Sequence, residues 1–278
     1  QQSNLNKDSL TYPHWKINEG ESATLRFLPD GDSSNGFFWR ERQQIELTFP
    51  GVKGQDENRE VSVRVPCMEM WDGENCPIIS ETRAWWKDPS LEDLARKYWK
   101  KRNYFMQGFV VNSPFEEENA PENPIRKFIV SPQIFNIISA SIKDEEELSV
   151  LPTDYENGLN FIVNKTMKGK FADYTTSKFS RRESALTEEQ LAAIEEHGLF
   201  NIGDWMPKKP TSEEVTVIAD MFQASVNGEL YDVGRWGQFY RPWGVQAPES
   251  TTTTVTFSEP VASPKPVAEP VAQPTQEV

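Results

Sequence analysis

The fold of this chain is decided by residues 91–111, which read LEDLARKYWKKRNYFMQGFVV. The first half has apolar residues at the spacing of one helix face and early acids, and Ser90 precedes it as a capping residue; together they predict a helix from Leu91 to about Lys101. The second half, from Tyr104 to Val111, is rich in aromatic and β-branched residues and predicts a strand. The same two patterns recur on either side of this stretch.

Alternating apolar and polar residues predict further strands, and apolar spacing with capping sequences predicts further helices. Strands are predicted over residues 15–17, 23–29, 37–49, 61–65, 104–111, 125–130 and 159–165. Helices are predicted over residues 91–101, 135–142, 187–198 and 213–226. Because strands and helices do not alternate regularly, the pattern favours an α+β, mainly β fold such as an antiparallel barrel over a doubly wound sheet.

Composition indicates a globular protein, and its negative charge limits where a nucleic acid could bind. The 278 residues are 37% hydrophobic and include nine Trp, sixteen Phe and seven Tyr. The formal net charge of -14 repels nucleic acid from most of the surface, so any nucleic-acid site is confined to a local groove. The sequence has no apolar run long enough for a membrane span and no signal sequence, and its two cysteines suit a reducing compartment; we expect an intracellular protein.

Cations and aromatic rings are concentrated in Arg96–Phe105, where five of the first seven residues are basic. Cations pair with phosphates and rings stack on unpaired bases, so this composition suits single-stranded nucleic acid. The alternative is a solvated helix face with Tyr98 and Trp99 in the core. Rings and cations also occur together at residues 38–42, 85–87 and 168–174, where ordinary core packing is the competing interpretation.

Catalytic signatures are absent from the sequence, which has no phosphate-binding loop, dinucleotide fingerprint, HExxH or GxSxG motif, so we expect no enzymatic activity. A metal-dependent nuclease using the acidic run at residues 144–147 is a weaker alternative, because this run resembles a solvated loop. Cys67 and Cys76 are too few for a structural zinc site without histidine partners, and His14 and His197 lie outside their segment.

Several segments, taken in order, resemble the single-stranded DNA-binding (helix-destabilising) protein family of T-even-type bacteriophages. The matching segments are Trp15-Lys16, Leu25–Pro29, Cys67–Pro77, Lys100-Lys101, Tyr104-Phe105, Val110-Val111, Asn119–Asn123, Gly158–Val163 and Phe171–Phe179. The resemblance covers roughly residues 15–186. It implies an OB-fold core that binds single strands with little sequence preference in replication, recombination and repair.

The resemblance also implies residue roles. Arg26, Lys100 and Lys101 would contact phosphates, and Tyr104, Phe105, Phe171 and Tyr174 would stack on bases or line the cleft. With the basic and aromatic clusters, the full candidate DNA-binding set is Arg26, Trp39, Arg40, Arg42, Lys97, Lys100, Lys101, Arg102, Tyr104, Phe105, Lys170, Phe171 and Tyr174. We expect a helix end to deliver Lys97, Lys100 and Lys101 to a cleft whose floor holds Tyr104 and Phe105.

The chain departs from the family pattern at the zinc segment. The family site uses one His and three Cys, whereas Ile79 occupies the third Cys position and no His precedes Cys67 in the expected region. We therefore expect no zinc and no other cofactor, with apolar packing of Trp71, Ile78 and Ile79 in its place.

The domain prediction has four parts. They are a flexible segment at residues 1–14, an OB-fold DNA-binding core at 15–186 with an inserted subdomain at 60–90, a helical and aromatic extension packed on the core at 187–246, and a disordered Pro/Thr-rich tail at 247–278. The expected partners are single-stranded DNA and replication or recombination proteins in the cytoplasm of an infected bacterial host. The alternative function is an acidic protein-interaction module with a partner-recruiting tail.

Overall fold

The computed structural model of the chain describes residues 8–144 and 150–247, which form one compact unit. Within them, the strands are β1 Ser22–Leu28, β2 Arg40–Phe49, β3 Val61–Pro66, β4 Lys101–Asn112, β5 Ile125–Val130, β6 Leu159–Asn164, β7 Thr166–Lys168, β8 Phe171–Asp173 and β9 Lys178–Glu183. The helices are α1 Pro77–Trp85, α2 Glu92–Lys97, α3 Pro132–Lys143, α4 Glu188–His197, α5 Ser212–Val226 and α6 Val233–Trp236.

Seven strands form one antiparallel sheet in the order β3-β2-β4-β1-β6-β9, and β5 pairs with β4. The long strand β4 holds the sheet together, because β2 and then β1 pair along one of its edges while β5 pairs along the other. Strands β7 and β8 form a separate hairpin. The predicted α+β, mainly β class is confirmed.

The predicted closure into a barrel is wrong, because the sheet stays open. Among the described strands, β5 and β9 do not pair with each other, and α3 packs against both of them and against β4. Helix α3 begins at the capping residue Ser131, with Pro132 in its first turn. Helix α3 thus contacts two edge strands of the open sheet, β5 and β9.

Strand register assigns the side chains of the sheet to two faces, because paired residues point the same way and neighbours along a strand point oppositely. We call one side the core face; it carries Phe27, Leu47 and Met106. Two hydrophobic clusters cover this face side by side. One packs on β2 and β3, and the other packs on β1, β4, β5 and β6.

The cluster on β2 and β3 joins distant parts of the chain. It contains residues of 45–79, Tyr98, several residues of α5, and Trp236 of α6. The hydroxyls of Tyr98 and Ser225 lie 2.9 Å apart, and Ser225 Oγ donates to the carbonyl of Thr48 at 2.7 Å. The cluster thus extends beyond residues 60–90 and includes the carboxy-terminal helices.

The opposite side of the sheet is the outer face. Helix α4 covers part of it through a small third cluster that includes Leu28, Phe109 and Ala193. The portion carried by β2, β3 and the start of β4 holds half-buried and exposed polar side chains instead, among them Arg42, Arg64 and Lys101.

Several local predictions need correction. Residues 8–14 are packed rather than flexible: Tyr12 is fully buried and stacks on Phe115 with ring centroids 5.5 Å apart. Residues 15–17 do not form a strand, because His14–Lys16 is a 3-10 turn. Helix α2 ends at Lys97 rather than near Lys101, and helix α1 was not predicted.

Some predictions concern residues outside the described ranges, namely those for residues 1–7, most of the acidic run at 144–147, and the tail from 248 onward. Across the ranges that are described, no helix has the length and apolar character needed to cross a membrane.

Candidate nucleic-acid interface

The basic and aromatic block at residues 100–105 is divided between two faces of the sheet. Tyr104 lies opposite Glu41 on the core face, whereas Lys101 lies opposite Gln44 and Phe105 opposite Arg40 on the outer face. The predicted cleft with both Tyr104 and Phe105 as its floor is therefore wrong. The segment is extended from Lys101 onward, and adjacent residues of a strand point in opposite directions.

Four aromatic rings form a continuous series at the cluster on β1, β4, β5 and β6, and we call them the ring surface: Phe37, Trp39, Phe135 and Tyr104. The centroid distances are 4.8 Å from Phe37 to Trp39, 5.3 Å from Trp39 to Phe135 and 3.5 Å from Phe135 to Tyr104. Phe37 is 61% exposed and Tyr104 is 5% exposed, so the series runs from solvent into the protein.

The polar surroundings of the ring surface come from the same strands. Arg102 lies beside Glu41 with Nε 3.6 Å from Oε1, and its side chain is 48% exposed. Burial, followed by hydrogen bonding to Glu41, raises the pKa of Tyr104, so its hydroxyl stays protonated at neutral pH. An exposed guanidinium next to stacked rings is an arrangement that suits a phosphate next to a base.

Two predicted lysines have different environments. Lys100 is 11% exposed, and its Nζ lies 2.5 Å from Oε2 of Glu69, which fixes the ammonium in an ion pair. Lys97 is exposed, and its ammonium lies 5.3 Å from the ring centroid of Tyr98 at the end of α2. Because the helix stops at Lys97, the expected delivery of both lysines and Lys101 from one helix face does not occur.

The β7–β8 hairpin presents a further ring. Phe171 is 79% exposed and Lys170 is also exposed, whereas Tyr174 is 7% exposed and packs in the core. Gln133 of α3 anchors the hairpin by donating to Asp173 at 2.8 Å and accepting from the amide of Tyr174 at 2.9 Å. A cavity of about 390 Å³ lies between α3 and the hairpin and is lined by Gln133, Lys168, Phe171, Ala172, Asp173 and Thr175.

Arginine residues on the outer face differ in how their charge is compensated. Arg40 pairs with Asp30 at 3.1 Å and Asp32 at 2.7 Å. Arg42 lies over the ring of Phe105, 4.6 Å from the centroid, and forms no ion pair with any described residue. Burial, followed by repulsion from Arg64, lowers the pKa of Arg42 to about 10.

Arg26 is buried within the fold, 2% exposed. Its guanidinium donates to the carbonyls of Asp154 and Ser184, both at 2.7 Å, to Ser184 Oγ at 2.9 Å, and to Asn160 Oδ1 at 3.4 Å. A guanidinium held in this way has little access to a phosphate, and this geometry favours a structural role.

The donor set for the zinc that the resemblance implies is incomplete. Cys67 and Cys76 are buried and hydrogen-bonded to each other, and this bond lowers the pKa of Cys76. Ile79, at the third Cys position, is fully buried in the same cluster. No group of three or more His, Cys, Asp or Glu side chains is placed to hold a metal within residues 8–144 and 150–247. Two thiols do not make a structural zinc site, so these residues do not fit the metal.

Sequence reasoning missed four residues near these surfaces: Phe37, Arg64, Phe135 and Gln133. Phe37 stands next to the Phe38–Trp39 pair and could have been included by proximity. The others depend on tertiary contacts that no local pattern reveals, since Phe135 faces Tyr104 from a helix and Arg64 comes from the neighbouring strand β3.

The comparison with protein families gives a match over most of the sheet-forming part of the chain. The model described as gp32 DNA binding protein like matches residues 19–214, which contain the ring surface, the β7–β8 hairpin and the outer-face arginines. Comparison with curated proteins finds no match to this chain. The family match extends over more than half of the sequence and includes the sheet, so the chain belongs to the gp32-like family of DNA-binding proteins.

Proposed function

We propose that this protein binds single-stranded DNA without sequence preference and without catalysis, and that it protects single strands during phage DNA replication, recombination and repair in the host cytoplasm. Membership of a gp32-like DNA-binding family supports single-stranded DNA as the ligand. Replication and recombination proteins are its proposed protein partners.

The observation that carries the proposal is the continuous ring surface from Phe37 to Tyr104. Every base has a stackable face, so rings bind single strands of any sequence, each stacked base contributing about 1 to 3 kcal/mol. Exposed Phe37 and partly exposed Trp39 can receive bases, while buried Tyr104 supports Phe135 from below. Arg102 supplies a cation beside them.

The test is a titration of Trp39→Ala with a mixed-sequence single-stranded oligonucleotide, followed by fluorescence anisotropy. Loss of one stacked base predicts a decrease in affinity of about 5- to 150-fold. Trp243→Ala is the matched control, because Trp243 is 58% exposed and lies outside the ring surface, and it should bind like the parent. A parent that binds no single strand, or a Trp39→Ala variant with parental affinity, would contradict the proposal.

We also propose that the fold does not depend on zinc. The buried side chains of Ile78 and Ile79 pack with the two thiols in the cluster on β2 and β3, and this supports apolar packing as the source of stability. Metal analysis of purified protein should find no stoichiometric zinc, and a chelator should leave the denaturation midpoint unchanged. One zinc per chain together with a chelator-dependent loss of stability would refute this.

A further inference from the structure

Arg42, Arg64 and Lys101 form a cationic group on the outer face, and we call it the outer-face site. Strand register places Arg64 opposite Glu46 across β3 and β2, and Lys101 opposite Gln44 across β4 and β2. Arg42 lies on the central strand of the three, opposite Asn103 of β4 and two residues along β2 from the position opposite Lys101. The group therefore lies on the opposite side of the sheet from Tyr104 and the ring surface.

The guanidinium of Arg42 has N–H groups without a well-placed hydrogen-bond acceptor. Its Nε is buried and has no hydrogen-bond partner among the described residues, and its Nη2 reaches Asn103 Oδ1 only at 3.5 Å. The ring of Phe105 supports its face at 4.6 Å but accepts none of its edge N–H groups. Leaving a buried charged donor unsatisfied is unfavourable, and such groups in folded proteins cluster at ligand sites.

The buried Arg126 and the half-buried Arg40 show that the fold can satisfy such a charge. Arg126 holds Glu117 through two nitrogens at 2.7 and 2.8 Å, and Arg40 holds two aspartates. Arg42 is different because the residue opposite it is the neutral Asn103 and the nearby charge that acts on it is the cation Arg64. It also remains charged at neutral pH, since its pKa of about 10 lies well above 7.

The charge of the outer-face site selects an anion. Glu46 is the carboxylate that pairs with this group, 2.8 Å from Lys101 and 3.9 Å from Arg64. Three cations and one carboxylate leave two positive charges on a chain whose formal net charge is -14. The planar guanidinium of arginine matches two oxygens of a phosphate group, which a compact ammonium does not.

We propose that the outer-face site is a second phosphodiester-binding site, distinct from the ring surface, in which Arg42 with Arg64 and Lys101 holds the sugar-phosphate backbone of a nucleic-acid strand. The proposal rests on the single-stranded DNA binding proposed above and adds a contact that needs no base. A strand that occupies both faces is bound by stacking on one side of the sheet and by charge on the other.

The test uses an abasic oligodeoxynucleotide of about 16 units, which has phosphates but no rings to stack. The double variant Arg42→Gln with Arg64→Gln should bind it more weakly than the parent, and the slope of log affinity against log salt should flatten by about 1.4, which is two phosphate contacts at about 0.7 each. Trp39→Ala should bind the abasic oligomer like the parent.

The matched control is Lys53→Gln with Arg235→Gln, which removes the same charge from two cations paired with Asp232 and Asp220. It should keep the parental slope. Arg42→Lys keeps the charge but not the planar donor edge, and should bind more weakly than the parent. A denaturation midpoint of Arg42→Gln at or above the parental value would show that binding is lost without loss of folding, because the substitution removes an unpaired buried charge.

The outcomes separate the two proposals. If the parent binds no normal single strand, the proposed function fails. The outer-face site alone is refuted by a different set of results. In that set the parent binds normal DNA and Trp39→Ala weakens that binding, but the Arg42 and Arg64 double variant keeps the parental affinity and salt slope for the abasic oligomer.

Discussion

Replacing Arg26 with Gln separates a structural role from a DNA-binding role for this residue. The resemblance to the phage family implies a phosphate contact, whereas the structure buries the guanidinium against two backbone carbonyls, those of Asp154 and Ser184, each at 2.7 Å. The two roles predict opposite outcomes for stability and binding.

The size of the effect follows from the groups left behind. A shorter glutamine side chain cannot reach both carbonyls, and each buried acceptor without a partner costs about 1 to 3 kcal/mol. Arg26→Gln should therefore lower the free energy of unfolding by about 2 to 6 kcal/mol, a large fraction of the stability of a typical domain. Because the hydrogen bonds to Ser184 Oγ and Asn160 are lost as well, the decrease in the free energy of unfolding should lie toward the upper end of this range.

Urea denaturation followed by tryptophan fluorescence measures this change, and single-strand affinity is measured at low temperature on protein shown to be folded. The folded variant should bind like the parent. A variant that keeps its stability within about 0.5 kcal/mol, the range of ordinary surface substitutions, and binds DNA at least tenfold more weakly would refute the structural role of Arg26.

Three further predictions address other parts of the molecule. Burial lowers the pKa of His14 to about 4, below the unfolded value of about 6.5. The contribution of this residue to the free energy of unfolding should therefore be complete above pH 6.5 and fall by about 3 kcal/mol as pH decreases toward 4. Denaturation at each pH measures this, and a smaller loss in the parent than in His14→Gln would contradict it. Thr211→Ala should lower unfolding free energy by about 1 kcal/mol in the same assay, because it removes the capping box with Glu214, and no change would argue against that cap. Phe171→Ala should leave stability within about 0.5 kcal/mol but weaken single-strand binding about 5-fold or more, and unchanged affinity would remove the hairpin from the interface.

Local signals in the sequence were enough for several elements. The capping box at Thr187 and the stop at Gly198, whose φ is 70°, define α4 within a residue, and β5 matches its prediction of 125–130. These features depend on residues a few positions apart. Helix α1 was missed because it begins with Pro77 after Cys76, without a side-chain cap.

The candidate site was harder to predict, because its geometry depends on where a helix becomes a strand. The cations at 97, 100 and 101 have helical spacing, but only the first belongs to a helix. The helix ends four residues earlier than predicted, so side chains expected on one helix face do not share a face. Pairing of β2 with β4, about sixty residues later, then decides which rings and cations meet, and no local pattern contains that information.

The cluster on β2 and β3 has a consequence for how the protein is made. Its earlier residues end at Tyr98, and its later ones begin at Ile218, 120 positions along the chain and past the end of the family match at residue 214. At about 5 to 20 residues per second, a ribosome needs roughly 6 to 24 s to synthesise the intervening segment. During that interval Ile45, Leu47 and Phe49 lack the cover of α5 and α6, and apolar strands exposed in partly synthesised chains are prone to aggregation.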